Sequence, residues 1–377
     1  MIKVCHIISG DLWAGSETMT YNLLKSLKKQ ADLEISVILL NNGKVADKMK
    51  RLDIPLYIFD ERKMSFLQIF TSMKKIICMK SPDILHSHGY KENLLAYLAS
   101  LTSNTIKRVA TQHGLPELYR KTWNLKFSLT SNLNFMLLST RFDHTITVSH
   151  NLRKILINKY RLPPKRVSVI HNGIDILDIL PLNKKDGPFT IGSSGRLYPI
   201  KDYPLMARIA EELAKRLNNF SFELAGEGPD GAVMELLIKK YNLKKIFKLR
   251  GFVNDIFAFY QGLDIYINTS LHEGIPISIL EAMASGLPVI AANVGGLNEI
   301  IENGSQGYLL ASRNPKDFAD ACLRLYKDKN LRKKMGSAAK EKIISEFSSD
   351  KMAGLYNKLY CNLTKNHGNG SQRKHIP

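Results

Sequence analysis

Glu273-Gly274-Ile275-Pro276-Ile277-Ser278-Ile279-Leu280-Glu281-Ala282-Met283-Ala284-Ser285-Gly286 is the stretch whose reading decides the fold. Two carboxylates flank a Gly-Ile-Pro turn. Proline is tolerated in the first turn of a helix because the N–H it lacks has no partner there. The stretch therefore predicts a helix with Pro276 in its first turn. Gly286 fits the stop, and Pro288 prevents continuation. Glu273 then lies in the loop before the helix, and Glu281 about two turns in, on a face shared with Ser278 and Ser285. Ile277, Ile279, Leu280, Met283 and Ala284 are left to pack. Upstream, residues 264–269 (Asp-Ile-Tyr-Ile-Asn-Thr) read as a buried strand; downstream, residues 288–292 read as the next. In such a strand–loop–helix–strand unit the ligand edge lies where the first strand ends and the helix begins. A carboxylate on each side of that edge suits the hydroxyls of a sugar or ribose.

The same alternation runs outward in both directions. Toward the N-terminus, strands are expected at 2–9, 34–40, 57–59, 84–86, 108–111, 145–148 and 167–170. Helices are expected at 18–29, 64–80 and 91–102. Residues 171–175 read as a turn, and residues 176–188 as a linker. A second series starts at 189–196 and continues through helix 203–217, strand 220–225, helix 231–241 and strand 247–249. After the quoted stretch come strand 307–310 and helices 316–327 and 330–346. Alternating strands and helices predict a doubly wound parallel sheet, and two series predict two Rossmann-like domains. The expected fold class is α/β, with the chemistry in a central cleft that the two domains face. The expected boundaries are 1–183 and 184–346, with a last helix at 347–363 and a disordered tail at 364–377.

Bulk composition excludes several classes. At 377 residues with 44% hydrophobic and 23% charged residues, the chain is an ordinary globular one. Cys5, Cys78, Cys322 and Cys361 have neither metal-ligand spacing nor a paired framework, which points to a reducing compartment. Residues 1–8 form too short an apolar run for a signal peptide and read as a first strand. No apolar run is long enough to span a bilayer. The net charge is +20. Residues 62–80 hold five basic residues and no acidic one, and residues 107–166 hold twelve basic residues against Glu117 and Asp143. Such a surface wants an anionic partner, whether membrane lipid, nucleic acid or an anionic substrate.

Four constellations carry chemistry. In Gly192-Ser193-Ser194-Gly195-Arg196-Leu197-Tyr198-Pro199-Ile200-Lys201-Asp202, glycines after a strand let the backbone approach a ligand. Arg196 and Lys201 straddle the loop to the helix, a forked cation and a point charge suited to a diphosphate. The Glu273/Glu281 pair is the second, with backbone N–H groups from Ile275 to Ser278 facing an anion. The third is Thr111-Gln112-His113-Gly114, a histidine at the end of a strand. His86 and His88 stand at another strand end; their spacing admits a metal, but no third ligand is evident, so a cleft-lining acceptor-side role is read for them. The fourth is Trp13-Ala14-Gly15-Ser16-Glu17 at the first helix N-terminus, an anion site without a full G-x-G-x-x-G, which counts against a dehydrogenase. No D-x-D occurs, so a metal–diphosphate clamp is not indicated. Protein cations would then stabilise the leaving diphosphate, and no metal or other cofactor is expected.

Taken together, Glu273…Glu281, Ala-Met-Ala-Ser-Gly-Leu-Pro-Val-Ile-Ala, Gly295-Gly296-Leu297-Asn298-Glu299, Gly195-Arg196-Leu197…Lys201-Asp202, Gly226-Glu227-Gly228-Pro229 and Gly251-Phe252-Val253 closely resemble the retaining glycosyltransferases of family 4, which have the GT-B fold. The resemblance is strong over residues 189–347 and continuous from residue 1. It implies an N-terminal domain for the acceptor, a C-terminal domain for a nucleotide-sugar, and a final helix crossing back to the first. By matching position it implies that Arg196 and Lys201 hold the donor diphosphate and that Glu281 binds the ribose. Glu273 would serve the donor sugar or its reacting face. Ile277 and Ser278 would offer backbone to phosphate, Phe252 and Val253 would hold the base, and Gly274, Glu227 and Gly195 would belong to the donor-binding loops. His113 matches the family's cleft histidine, and Gly15 the glycine that admits the diphosphate; Ala14 replaces the more usual glycine. Glu17, His88 and Lys91 are expected on the acceptor side.

The resemblance further implies a metal-independent, retaining transfer from a UDP-sugar to a lipid-linked or saccharide acceptor in cell-surface polysaccharide synthesis. The site of action would be the cytoplasmic membrane face. The basic-aromatic run at 119–127 then reads as an interfacial segment on anionic lipid. Two other readings stand beside it: an epimerase-like sugar-nucleotide enzyme and a non-catalytic basic binding protein of the same fold. A nucleic-acid binder would want aromatic platforms or a reading helix, so no nucleic-acid partner is expected. Oligomeric state is open.

Overall fold

The computed structural model describes residues 1–101, 103–115, 125–176 and 187–365, with the backbone alone for 125–129. The chain divides into two compact units, Met1–Gly173 with Ser349–Pro377, and Ile174–Ser348. The expected boundary at 183/184, residues 177–186 of the expected linker and 366–377 of the expected tail lie outside the described residues. So do residues 119–124 of the basic-aromatic run.

The first unit runs β1 (Ile2–Ile8), α1 (Gly15–Leu27), β2 (Leu33–Leu39), α2 (Lys44–Lys50), β3 (Leu56–Ile58), α3 (Phe66–Lys80), β4 (Ile84–Ser87), α4 (Tyr90–Ser100), β5 (Lys107–Gln112), α5 (Leu125–Thr140), β6 (His144–Thr147), α6 (His150–Asn158) and β7 (Val167–Val169). Its sheet has the order β3-β2-β1-β4-β5-β6-β7, all parallel. The order reverses between β1 and β4, where His6 lies opposite His86. Crevices outside the strand C-termini at such a reversal are where α/β sheets bind ligands.

The second unit runs β8 (Phe189–Ser194), α7 (Tyr203–Ala214), β9 (Phe220–Ala225), α8 (Gly231–Lys240), β10 (Phe247–Gly251), α9 (Ile256–Gln261), β11 (Ile265–Asn268), α10 (Ile277–Ala284), β12 (Val289–Ala292), α11 (Leu297–Ile300), β13 (Gly307–Leu310), α12 (Pro315–Lys327) and α13 (Lys329–Glu346). The order β10-β9-β8-β11-β12-β13 puts its reversal between β8 and β11. Every residue of β8 is buried, as are all of β11 and β12. That is why these strands read as apolar runs: parallel strands are covered on both faces.

The last helix, α14 (Ser349–Lys365), belongs to the first unit. It starts two residues later and ends two residues later than the expected 347–363, so residues 364 and 365 are helix instead of tail. Phe347 stays with the second unit, where its carbonyl accepts from Ile174 N at 2.9 Å. In α14, Met352, Ala353, Tyr356 and Tyr360 are buried against the first sheet and α1. Side chains of the larger kind contribute about 1.5–3 kcal/mol each on full burial.

The quoted stretch folds as a strand–loop–helix–strand unit, with two corrections. Pro276 is the extended N-cap (ψ 125°), not a first-turn residue. Glu281 is the fifth residue of α10 and so lies about one turn in, not two. Gly286 takes φ +86° just past the helix, the left-handed stop expected of it.

Candidate functional site

In the second unit the loops that end β8, β9 and β10 are stitched backbone to backbone. Gly195 N donates to Ala225 O at 2.9 Å, Gly226 N to Gly251 O at 2.7 Å, and Leu197 N to Glu227 O at 2.9 Å. Gly226 has φ +136°, and a Cβ there would lie 1.9 Å from the Gly195 carbonyl oxygen. The strand-end loops are therefore held at a separation only glycine permits. Glu227 closes the far side, its Oε1 accepting from Phe252 N at 3.2 Å. Phe252 is 42% exposed, with Val253 half-buried beside it.

Lys201 ends a short 3-10 turn (Pro199–Lys201). Its Nζ lies 2.6 Å from Glu273 Oε1. Ser270 Oγ at 2.5 Å and Asn268 Nδ2 at 3.3 Å donate to the same oxygen. Among the described residues Oε2 takes no hydrogen bond. Burial pushes the Glu273 carboxyl up, but the Lys201 charge and these three donors outweigh it and hold it below the usual range. The expected donor cation and the expected sugar-side acid are thus brought together as an ion pair. Gly295 presses on them from behind: with φ +58°, a Cβ there would come within 1.8 Å of Glu273 O. The Arg196 guanidinium lies 4.9 Å from the Tyr198 ring centroid, a cation–π stack at the same sheet edge.

Glu281 sits at a second polar node. Its Oε2 accepts from Tyr260 OH at 3.1 Å, and Tyr260 OH lies 2.8 Å from Ser194 Oγ at the end of β8. Ser278 contributes its carbonyl to the same hydroxyl, at 3.3 Å. Burial raises the Glu281 carboxyl to about 7, with the Tyr260 hydrogen bond a smaller opposing influence. Ile277 and Ser278 open α10 without a side-chain cap, so their N–H groups have no partner within the helix. Gly274 lies in the loop just before.

A pH dependence follows. Glu281 is raised from 4.5 in the unfolded chain to about 7 in the fold. The folded protein then binds more proton between those values. Its contribution to stability is full below about pH 4.5 and is lost as pH rises through about 7. Relative to Glu281→Gln, wild type should lose on the order of 3 kcal/mol across that window. Paired chemical melts from pH 4.5 to 8 check this; parallel curves for the two proteins would refute it.

Sequence reasoning missed Arg313. It pairs with Asp202 and donates to Ser270 O at 3.0 Å and Thr269 O at 2.7 Å. Thr269 Oγ1 in turn donates to Lys201 O at 2.9 Å. Arg313 thereby ties the loop after β8 to the loop after β11 and fixes the Lys201–Glu273 pair. A cation directly after β13 was the available signal. Tyr260 was missed because α9 was not expected. His272, next to Glu273, keeps a buried Nε2 with no partner, and nothing in the sequence marked it.

In the first unit, a cavity of about 340 Å³ opens at the β1/β4 reversal, lined among others by Asp11, Glu17, Thr20, His88, Lys91 and Glu92. The three expected acceptor-side residues, Glu17, His88 and Lys91, all line it. Lys91 pairs with Glu61. Glu92, buried, is raised to about 7, chiefly by burial. A Cβ at Gly15 would meet nothing within 4 Å, so the protein's own packing does not require glycine there.

His113 stands just past β5, and His88 Nδ1 lies 3.4 Å from its Nε2. His6 is the third imidazole that the sequence reading did not find: His6 Nδ1 is 3.0 Å from His88 Nε2. His6, His86 and His88 offer ligand atoms within 4.8 Å of one another. Their ring planes lie at 19–38° to one another, with the His6–His86 pair tilted. His6 Nδ1 and His88 Nε2 face each other at 3.0 Å, so those two nitrogens are spent on one another and not on a common ion. Both nitrogens of His86 are also engaged, by Tyr360 OH at 2.6 Å and Thr111 Oγ1 at 2.8 Å. Burial lowers His6 to about 3 and His113 to about 4, and takes His86 and His88 well below the usual range.

Two family profiles match the chain, "Glycosyltransferase Family 4" over residues 13–176 and "Glycosyl transferases group 1" over residues 178–342. The chain belongs to the glycosyltransferases of the family 4 type, with the GT-B fold. It is 25% identical to an Escherichia coli UDP-Gal:alpha-D-GlcNAc-diphosphoundecaprenol alpha-1,3-galactosyltransferase, covering 97% of this chain and 98% of that one. It is 27% identical to the Bacillus anthracis N-acetyl-alpha-D-glucosaminyl L-malate synthase, over 81% of each. The crystal structure of Anabaena HepE with UDP-glucose superposes with a TM-score of 0.83 at 19% identity, over 96% of this chain and all of that one.

Proposed function

We propose that this glycosyltransferase moves a sugar, with retention and without a metal, from a UDP-sugar to a hydroxyl of a lipid-linked or saccharide acceptor in surface-polysaccharide synthesis. The observation that carries the reading is the meeting, at one strand-order reversal, of the Gly195–Arg196 loop, Lys201, Glu273 and Glu281. The second unit takes the donor. Arg196 and Lys201 stabilise charge on the departing diphosphate, the ammonium keeping Glu273 while its remaining N–H groups meet phosphate. Glu281 grips the ribose, the N–H groups of Ile277 and Ser278 face phosphate, and Phe252 and Val253 cover the base. Glu273 turns its Oε2 to the sugar. With its Oε1 held by a cation and two neutral donors, Glu273 is a weak nucleophile. The reading therefore gives it binding instead of a covalent intermediate. The acceptor oxygen attacks the anomeric carbon, the bond to the diphosphate breaks, and the acceptor proton passes to the leaving oxygen. The first unit takes the acceptor in the cavity lined by Glu17, His88 and Lys91.

UDP is chosen because HepE is seen with UDP-glucose and the E. coli relative is named for UDP-Gal. A lipid-linked acceptor follows the same relative, whose name includes diphosphoundecaprenol. No helix among the described residues is long and apolar enough to cross a membrane. Work at the cytoplasmic membrane face is supported by the net charge of +20 and by α3, which exposes Phe66, Leu67 and Met79 beside Lys74 and Lys75.

The test is a donor screen over UDP-, GDP- and ADP-sugars with a membrane extract as acceptor, run beside co-sedimentation with anionic vesicles. UDP-sugar turnover is expected. Arg196→Ala should cut it by about a hundredfold or more at an unchanged melting temperature. Turnover near the wild-type rate by that variant would end the assignment. Failure to sediment at low salt would end the membrane part alone.

A further inference from the structure

Among the described residues, two of the buried side-chain nitrogens without a partner are His6 Nε2 and His113 Nδ1. They are the two ends of one chain. His113 Nε2 faces His88 Nδ1 at 3.4 Å, and His88 Nε2 faces His6 Nδ1 at 3.0 Å. The ring planes of both pairs are near-parallel, with centroids 5.6 Å apart for His88 and His113 and 5.3 Å apart for His6 and His88, the spacing of rings that meet edge to edge. A neutral imidazole carries one N–H and one lone pair. In such a chain the tautomer of one ring therefore dictates the next. All three rings are kept neutral by burial.

One observation sets the direction. Thr20 Oγ1 donates its proton to Ser16 O at 2.8 Å, and the same oxygen lies 3.4 Å from His88 Nδ1. With its hydrogen committed, the hydroxyl offers His88 only lone pairs, so the His88 proton belongs on Nδ1. His88 Nε2 then accepts from His6 Nδ1–H. The two ends do not choose between the directions, because His6 Nε2 and His113 Nδ1 are both buried without a partner; this direction leaves a bare lone pair at His6 Nε2 and an N–H at His113 Nδ1.

We propose that Thr20, His88 and His6 act as positioning residues that lock His113 in the Nδ1–H tautomer, so that His113 Nδ1 serves as a hydrogen-bond donor and not as a base. His86 stacks within the cluster but takes no part, because Tyr360 and Thr111 already occupy both its nitrogens. The tautomer is a property of the first unit alone. Its bearing on turnover rests on the transferase reading above.

Long-range proton–nitrogen NMR of the full chain, ¹⁵N-labelled at histidine and free of donor, tests it. The His113 signal is assigned by its loss in His113→Gln. At pH 7.5 the expected pattern is Nδ1–H for His6, His88 and His113, which is the minor tautomer of free histidine. Thr20→Val keeps the shape and removes the hydroxyl. In it the Nε2–H form of His113 should become the major one, and kcat should fall roughly tenfold with donor KM within about twofold. Nε2–H at His113 in the wild type overturns the proposal, and so does a wild-type pattern in Thr20→Val. Should that variant fail to fold, the wild-type spectrum decides by itself. A correct tautomer in a protein that transfers no sugar would keep the lock and remove only the transferase reading.

Discussion

Lys201→Met should abolish sugar transfer and loosen the second unit at the same time. The ammonium lies 2.6 Å from Glu273 Oε1, with side chains only 20% and 10% exposed. Methionine keeps the stem and removes the charge, leaving a buried carboxylate on two neutral donors. Breaking a buried pair from one side costs about 3 kcal/mol, because the remaining charge is stranded. In the proposed reaction the same ammonium offsets charge on the leaving diphosphate. Turnover should therefore drop by roughly a thousandfold. The double variant Lys201→Met with Glu273→Gln separates the two effects. It should regain most of the stability and none of the transfer. Thermal melts and donor turnover on the three proteins decide the matter; a single variant with turnover within tenfold of wild type would refute the role given to Lys201.

Gly226→Ala should be as damaging without touching a charged group. Its Cβ would stand 1.9 Å from the Gly195 carbonyl oxygen, at a φ of +136° that side chains rarely adopt. The neighbour in the way is backbone, so no rotamer change relieves it. Roughly 3 kcal/mol of strain is expected. Relief would come by pushing the Gly195–Arg196 loop away from the end of β9. Donor binding should fall by about tenfold or more even where the unit still folds. Calorimetric nucleotide titration beside a melting curve checks both, and wild-type affinity would overturn the account of the stitched loops.

The alternation of strands and helices was legible because parallel strands buried on both faces leave short apolar runs between polar loops. β9 and β13 fall where that pattern places them. α5 was not legible: Asn132-Leu133-Asn134-Phe135-Met136-Leu137-Leu138 is apolar almost all round and shows no clear stripe. α6 carried a readable signal in Ser149, whose hydroxyl accepts from Leu152 N at 3.1 Å. At the site, Arg196, Lys201, Glu273 and Glu281 were legible as types at strand ends. Their partners were not. Arg313 reaches Asp202 across 111 positions, and His6 meets His88 across 82. Those meetings depend on which strand lies beside which, and a β1/β4 or β8/β11 reversal is written in no local pattern.

The placement of α14 sets an order on assembly during synthesis. All residues of the second unit, Ile174–Ser348, emerge from the ribosome before Ser349 does. The first unit begins the chain yet is the last to be supplied. Until α14 arrives, His86 has no Tyr360 beside it and the face of α1 that carries Ser26 lacks Ser349 and Asp350. The half of the protein synthesised first is thus the half that must wait, holding an unfinished surface through the making of the other.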